Sequence, residues 1–269
     1  MGERPLQKIV RCYACNIIAL SQENKIVLSM TGIFFAHPHT LLDQVGKVLE
    51  RVGPEKFFTS SNEEVKKARE GFAAYFFTLT LKKYTGRDWW LAQYDQAARA
   101  YPDFDFMSFS DNPDDMKMEP VELTGVYPHF KSFEEALKII EKKKNQYGPE
   151  SVKFSLLVFV NHEKSEEWIN LLREKIRNEH PFLSIWTIHL RFKKGGKEVG
   201  KVVAQRIIPL PGLRIEADTD DPELHRRQYL PSYMEQHQDG ENTYITFKNE
   251  FIDKIRKFHE GREGYNKKE

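Results

Sequence analysis

Residues 100–127 read AYPDFDFMSFSDNPDDMKMEPVELTGVY, and this stretch predicts a β-hairpin. Its first half alternates acidic and aromatic residues from Asp103 to Phe106, with the period of two that is typical of a half-buried strand. Its second half contains the strand-like segment 121–124, VELT. The residues between them, 110–115, are serine, asparagine, aspartate and proline, which favour turns. The sequence therefore predicts two antiparallel strands joined by an acidic turn.

The turn leaves two registers open for this hairpin. One sets Asp103 opposite Glu122, and the other sets Asp105 opposite Glu122. In both registers the acids share one face and the apolar side chains share the other. Those apolar residues are Phe104, Phe106, Val121 and Leu123. Because a slip by one residue would place the acids among the apolar side chains, burial of that second face fixes the register.

The acidic face of the hairpin has two interpretations. Directly opposed residues have Cβ atoms roughly 5 Å apart. Two carboxylates at such a short distance repel each other unless a cation lies between them or one of them is protonated. Oxygen ligands of this kind suit a hard divalent ion such as Mg²⁺ or Mn²⁺. A solvated acidic surface would produce the same pattern without a metal.

A family resemblance favours the metal site. Pro102-Asp103 followed by Glu122-Leu123-Thr124 resembles the PD-(D/E)xK motif of restriction-endonuclease-like nucleases, with an Asp at the second core strand and Glu-x-Lys on the third. Over residues 60–192 the order of elements is similar too: helix, hairpin, helix, buried strand, helix. The resemblance implies an α/β fold with a mixed central sheet flanked by helices. It also implies a metal-dependent endonuclease that hydrolyses phosphodiester bonds.

The resemblance also assigns a set of metal ligands. The implied ligands of Mg²⁺ or Mn²⁺ are Asp103, Asp105, Glu122, the backbone carbonyl of Leu123, and Glu70 from the preceding helix, with Glu64 as the other acid on that helix. These residues would acidify a water molecule and offset the charge of the attacked phosphate through the bound ion.

One position departs from the motif, because Thr124 stands where the family has its lysine. Thr124 could orient water but supplies no positive charge. Lys117 or Lys131 would then have to replace the lysine, unless the chain is a lysine-free variant or an inactive nuclease.

The remaining sequence predicts helices and strands around the hairpin. Predicted helices cover 41–52, capped by Thr40, then 62–83, 132–144 and 165–178, and a last one follows a strand near residue 244. Predicted strands cover 9–20, 26–35, 89–94, 154–160, 183–192, 202–210 and 212–215. The triple lysine 142–144 suits the C-terminal end of its helix dipole and could also contact phosphates. We expect an N-terminal hairpin plus helix (1–59), a nuclease-like core (60–200), and C-terminal strands and helix (201–269), with the tail disordered after 261.

Composition limits the classes of partner. The chain of 269 residues is 40% apolar and 30% charged, and its net charge is only +1, so a nucleic-acid site would have to be a local patch. No apolar run is long enough to span a bilayer, and residues 1–8 lack a signal-peptide core. We expect a cytoplasmic protein that does not contact membranes. Its expected partner is nucleic acid, DNA in preference to RNA, and the resemblance implies a homodimer.

The sequence leaves two alternative functions open. A nuclease-like fold without activity could serve as a nucleic-acid-binding or assembly subunit, as the missing lysine suggests. The pair His37 and His39 would instead suit a His-x-His metallohydrolase on a barrel of eight βα units.

Overall fold

The structure, a computed structural model, describes most of the chain between residues 8 and 247. The described ranges are 8–12, 17–22, 25–30, 33–36, 38–94, 104–108, 117–126, 133–160, 166–176, 182–193, 199–226, 234–239 and 242–247. For β1–β4 and for some later positions, including Asp105, only the backbone path is described. The predicted C-terminal helix and disordered tail lie outside these residues.

A wide mixed sheet organises the described chain, with eleven strands in sequential order from β1 to β11. These strands are β1 Lys8–Cys12, β2 Ile17–Gln22, β3 Lys25–Met30, β4 Ile33–Ala36, β5 Trp89–Tyr94, β6 Phe104–Ser108, β7 Lys117–Val126, β8 Ser155–Val160, β9 Ile185–Phe192, β10 Val199–Ile208 and β11 Leu213–Asp218. Strands β7, β8 and β9 are parallel neighbours, and the other pairs are antiparallel. A separate hairpin is formed by β12 Met234–Asp239 and β13 Asn242–Phe247.

Helices connect and cover these strands. They are α1 Pro38–Val52, α2 Pro54–Thr59, α3 Glu63–Thr85, α4 Phe133–Tyr147, α5 Glu166–Ile176 and α6 Pro222–His225. Helices α4 and α5 follow β7 and β8, and so provide the crossovers that parallel neighbours require. The predicted class, a mixed α/β sheet flanked by helices, is confirmed for the described residues.

The register of the central hairpin follows the first of the two predicted alternatives. Phe104 pairs with Val121, and Asp105 pairs with Pro120. The predicted apolar face is buried, because Phe104, Phe106, Val121 and Leu123 are each at most 4% exposed and belong to one core cluster. Burial of this face excludes a slip by one residue, and the observed pairs identify which of the two remaining registers forms.

The middle of helix α3 is enclosed on all sides. Asn62 caps its N-terminus by accepting from the backbone N–H groups of Glu64 and Val65, and Gly86 ends it at φ 68°. Every residue from 71 to 81 is buried, so this part of the helix has no solvent-exposed face. The helix packs against α1 and α2 and against strands as far apart as β5 and β11. A helix that is apolar on every side requires such a surrounding.

Aromatic contacts fix this helix to the sheet. Phe77 is fully buried and meets the rings of Phe106 and Trp186 edge to face, at centroid distances of 5.3 and 5.5 Å. Such pairs add about 0.5–1.5 kcal/mol each beyond the burial of their area.

A second core lies on the opposite face of the sheet. Helices α4 and α5 cover this face with Ala136, Ile140, Trp168, Ile169, Leu172 and Ile176, which pack on side chains of β8. All six residues of β8 are buried, as the unbroken apolar run 154–160 predicted. The sheet is thus the middle layer of three.

The N-terminal region corrects two predictions. Four strands, β1–β4, occupy the part where the sequence predicted two. Helix α1 begins at Pro38, so Thr40 lies inside it and is not its cap. Proline is favoured in the first turn because the missing N–H would have no intrahelical partner there.

No helix in the described ranges has both the length and the apolar character needed to cross a membrane.

Candidate functional site

The site is built around Glu122 on β7. Its neighbours Val121 and Leu123 point into the α3 core, so strand alternation directs Glu122 to the opposite face, beneath α4. The residue is only 1% exposed. A buried carboxylate costs several kcal/mol unless it is paired and hydrogen-bonded. The surroundings of Glu122 must therefore compensate its charge.

Helix α4 supplies both partners. The Lys143 Nζ donates to Oε1 of Glu122 and forms an ion pair with it. The Tyr147 hydroxyl donates to Oε2 at 2.6 Å. Since Lys143 and Tyr147 are four residues apart on a helix, they share one face and reach the same carboxylate. The ring of Tyr147 is held against Phe154 at a centroid distance of 4.6 Å.

Glu70 on α3 lies within the electrostatic reach of this pair. Burial raises the pKa of Glu70, the positive charges of Lys66 and Lys143 lower it, and the charge of Glu122 raises it further. Glu70 also forms an ion pair with Lys66 at 3.8 Å. The other acid considered on this helix, Glu64, is exposed and paired with Arg51 at 2.6 Å. Of these two acids of α3, Glu70 is the one whose charge interacts with those of Glu122 and Lys143.

Of the two predicted aspartate ligands, the structure describes only the backbone of Asp105. The last described pair of the hairpin is Phe104 with Val121, so the predicted pairing of Asp103 with Glu122 stays a prediction. Asp103 itself lies outside the described residues. Asp105 lies opposite Pro120, one pleat from Glu122, and its side chain is not described.

Of the two predicted substitutes for the motif lysine, the structure places only Lys117. Lys117 is exposed at the start of β7, roughly 17 Å along the strand from Glu122 at about 3.4 Å per residue. Lys131 lies outside the described residues. Thr124, at the motif position, is half-buried. Lys143, which the sequence analysis assigned to a basic helix end that could also contact phosphates, forms the ion pair with Glu122.

The oxygen atoms of the described residues form only part of a binding site for a hard cation such as Mg²⁺. Each oxygen of Glu122 accepts one hydrogen bond and retains a second lone pair, and carboxylate oxygens are the ligands that Mg²⁺ and Mn²⁺ prefer. Within the described ranges, no group of three or more His, Cys, Asp or Glu residues could hold a metal ion. A complete metal site would thus need the side chain of Asp103 or Asp105.

The alternative of a His-x-His metallohydrolase depends on His37 and His39. His39 lies in the first turn of α1, and His37 is outside the described residues. The described sheet is mixed and mostly antiparallel, unlike a barrel of eight parallel strands.

Comparison with known proteins found no matching family model, no matching curated protein and no matching solved structure.

Proposed function

We propose that this chain is a metal-dependent nuclease whose active site comprises Asp103, Glu122 and Lys143. The observation that carries the proposal is a buried carboxylate on β7 that receives a lysine and a tyrosine from α4. Its supporting context is the order of elements: α3, then the antiparallel β5–β6–β7, then α4, then the parallel β8. This is the order that the resemblance to PD-(D/E)xK nucleases implies.

In this proposal Lys143 takes the part of the missing motif lysine. Its ammonium group carries three donors, and one is sufficient to hold Glu122. The others can reach a phosphate oxygen or an attacking water and place positive charge where negative charge develops. Tyr147 keeps Glu122 oriented, and Thr124 has no charged role.

The carboxylates act as oxygen ligands. Asp103 and Glu122, with Asp105 or Glu70 beside them, would hold Mg²⁺ or Mn²⁺. When bound, such an ion supplies a Lewis acid that acidifies a water molecule and offsets the charge of the phosphate.

The proposal is tested by incubating plasmid DNA and RNA with the protein in Mg²⁺ or Mn²⁺. We expect cleavage that chelation abolishes and that Asp103→Asn, Glu122→Gln and Lys143→Met each reduce by at least about a hundredfold. Lys142→Met is the matched control, because Lys142 is an exposed neighbour on the same helix. In the Lys143→Met background, Thr124→Lys returns a lysine to the motif position and should restore part of the activity.

A second function is favoured by one observation. Both oxygens of Glu122 are already satisfied by Lys143 and Tyr147, so the carboxylate is compensated without a cation. We therefore also propose, as the alternative, an inactive nuclease-like fold that binds nucleic acid or assembles a complex. Binding of DNA or RNA with no metal-dependent cleavage would favour this alternative over the nuclease.

A further inference from the structure

Strand β11 forms one edge of the sheet in the described part of the chain. Its partner is β10, in an antiparallel register that runs from Lys201 opposite Asp218 to Arg206 opposite Leu213. The residues of β11 alternate, with Ile215 and Ala217 buried against α3. An edge strand presents a row of backbone donors and acceptors to any further strand.

The direction of the backbone groups of β11 can be derived from one hydrogen bond. The backbone N–H of Thr219 donates to the carbonyl of Gly200 at 3.0 Å, which continues the β10–β11 register by one step. In an antiparallel pair, hydrogen-bonded and non-hydrogen-bonded positions alternate. Residues 213, 215 and 217 therefore bond to β10. The N–H and C=O groups of Arg214, Glu216 and Asp218 point away from it.

The charges on β11 are arranged for self-pairing. A second copy of β11 could pair antiparallel about a two-fold axis at Ile215. That register sets Arg214 of each copy directly opposite Glu216 of the other, and both are outward-bonding positions. The competing register, centred on Glu216, would also form two opposite-charge pairs, Arg214 with Asp218, but it would set two glutamates opposite each other between them. Like charges in direct opposition destabilise a strand pair, and opposite charges stabilise it.

We propose that two copies of this chain associate through β11, with Arg214 of one copy opposite Glu216 of the other. Each of the two Arg214–Glu216 pairs exchanges two backbone hydrogen bonds, because these are hydrogen-bonded positions. Within one copy, Arg214 already contacts Glu216 at 2.7 Å, so both side chains lie on the same exposed face of the strand. The interface joins the two sheets edge to edge and is independent of the proposed nuclease site.

Sedimentation equilibrium over a wide range of concentration tests the proposal. We expect the unmodified protein to be a dimer, and Glu216→Pro to be a folded monomer, because the lost N–H points away from β10 and proline is tolerated at a sheet edge. Arg214→Glu and Glu216→Arg should each weaken the dimer by at least tenfold, and combining them should restore it. Arg226→Glu, an exposed residue outside the sheet, controls for the change in net charge.

Three results would overturn the proposal. The first is a protein that is monomeric at every concentration. If Glu216→Pro then also lowers the stability of the monomer, another segment of the same chain covers β11. The second is a dimer that Glu216→Pro leaves intact. The third is a Glu216→Arg variant that dimerises as well as the unmodified protein, which would indicate another register or surface.

Discussion

Lys143 on α4 and Glu122 on β7 form an ion pair across the layer between helix and sheet, with Glu122 only 1% exposed. The pair joins two elements that are adjacent in sequence but belong to different layers. It fixes the last turn of α4 over the middle of β7.

Replacing Lys143 by methionine should leave a buried carboxylate without its charge partner. We expect the free energy of unfolding to fall by about 3–5 kcal/mol, as measured by urea denaturation. Adding Glu122→Gln should recover a large part of that loss, since the neutral amide no longer needs a cation. Purely additive losses in the double variant would show that the two residues are not coupled. Lys142→Met should have little effect.

Tyr147→Phe should remove one hydrogen bond and leave the ring in place against Phe154. A hydrogen bond to a charged group contributes about 1.5–3 kcal/mol, so we expect a loss of stability in that range. Tyr84→Phe is the matched control, because Tyr84 is 59% exposed. Equal losses in the two variants would mean that the Tyr147 hydroxyl contributes nothing to holding Glu122.

Glu119 on β7 should make stability depend on pH. Burial raises its pKa, and the hydrogen bond from Ser155 and the charge of Arg206 partly oppose that rise. Because the folded state holds the proton more tightly than the unfolded chain, this stabilising contribution is full below pH 4.5, the ordinary value. It is lost as the pH rises through the folded pKa.

Glu119→Gln should therefore flatten this dependence. We expect the variant to gain stability relative to the unmodified protein at neutral pH, and the gain to shrink towards pH 4.5, the ordinary pKa of a glutamate side chain. Thermal unfolding at a series of pH values measures the difference. A gain that is the same at every pH would show that titration of Glu119 is not its cause.

Gly71 on α3 allows α1 to approach closely. A Cβ atom there would lie 3.0 Å from Cδ1 of Leu41 and 3.3 Å from Cγ2 of Val45. Gly71→Val should therefore force the helices apart and cost about 1–3 kcal/mol in denaturant unfolding. Gly46→Ala on α1 is the contrasting variant, because its Cβ would meet nothing within 4 Å and should stabilise the helix by up to about 1 kcal/mol. Unchanged stability in Gly71→Val would contradict this packing.

The sequence predicted the hairpin well because a physical constraint acts directly on its residues. Phe104 and Val121 can enter the core only in a register that keeps Asp105 and Glu122 on the other face. The alternation of apolar and acidic residues in the sequence therefore predicts which face is buried. The long helix α3 was predicted from a capping box that begins at Ser61 and a stop at Gly86, and the structure places the cap one residue later, at Asn62. The burial of residues 71–81 on every side was not predicted, because the strands that cover this helix lie far from it in the sequence.

The partners of Glu122 were missed for a similar reason. Lys143 was interpreted as part of a basic helix end, and Tyr147 lay beyond the predicted end of that helix. One signal was available: a glutamate between two core residues of a buried strand requires a donor, and a lysine and a tyrosine four apart on the next helix can provide two. Tertiary packing decides which part of the sheet each helix covers. The local sequence pattern therefore could not predict that α4 lies over Glu122.

The enclosure of α3 has a consequence for synthesis on the ribosome. The helix is complete at residue 85, but its apolar surface is covered by side chains as late in the chain as Ile215 and Ala217. Domains fold as their residues emerge, N-terminal end first. A nascent chain must therefore carry this helix with its apolar surface only partly covered, by α1, α2 and the earlier strands, until β11 has been synthesised. A product truncated before β11 should be aggregation-prone and a substrate for chaperones.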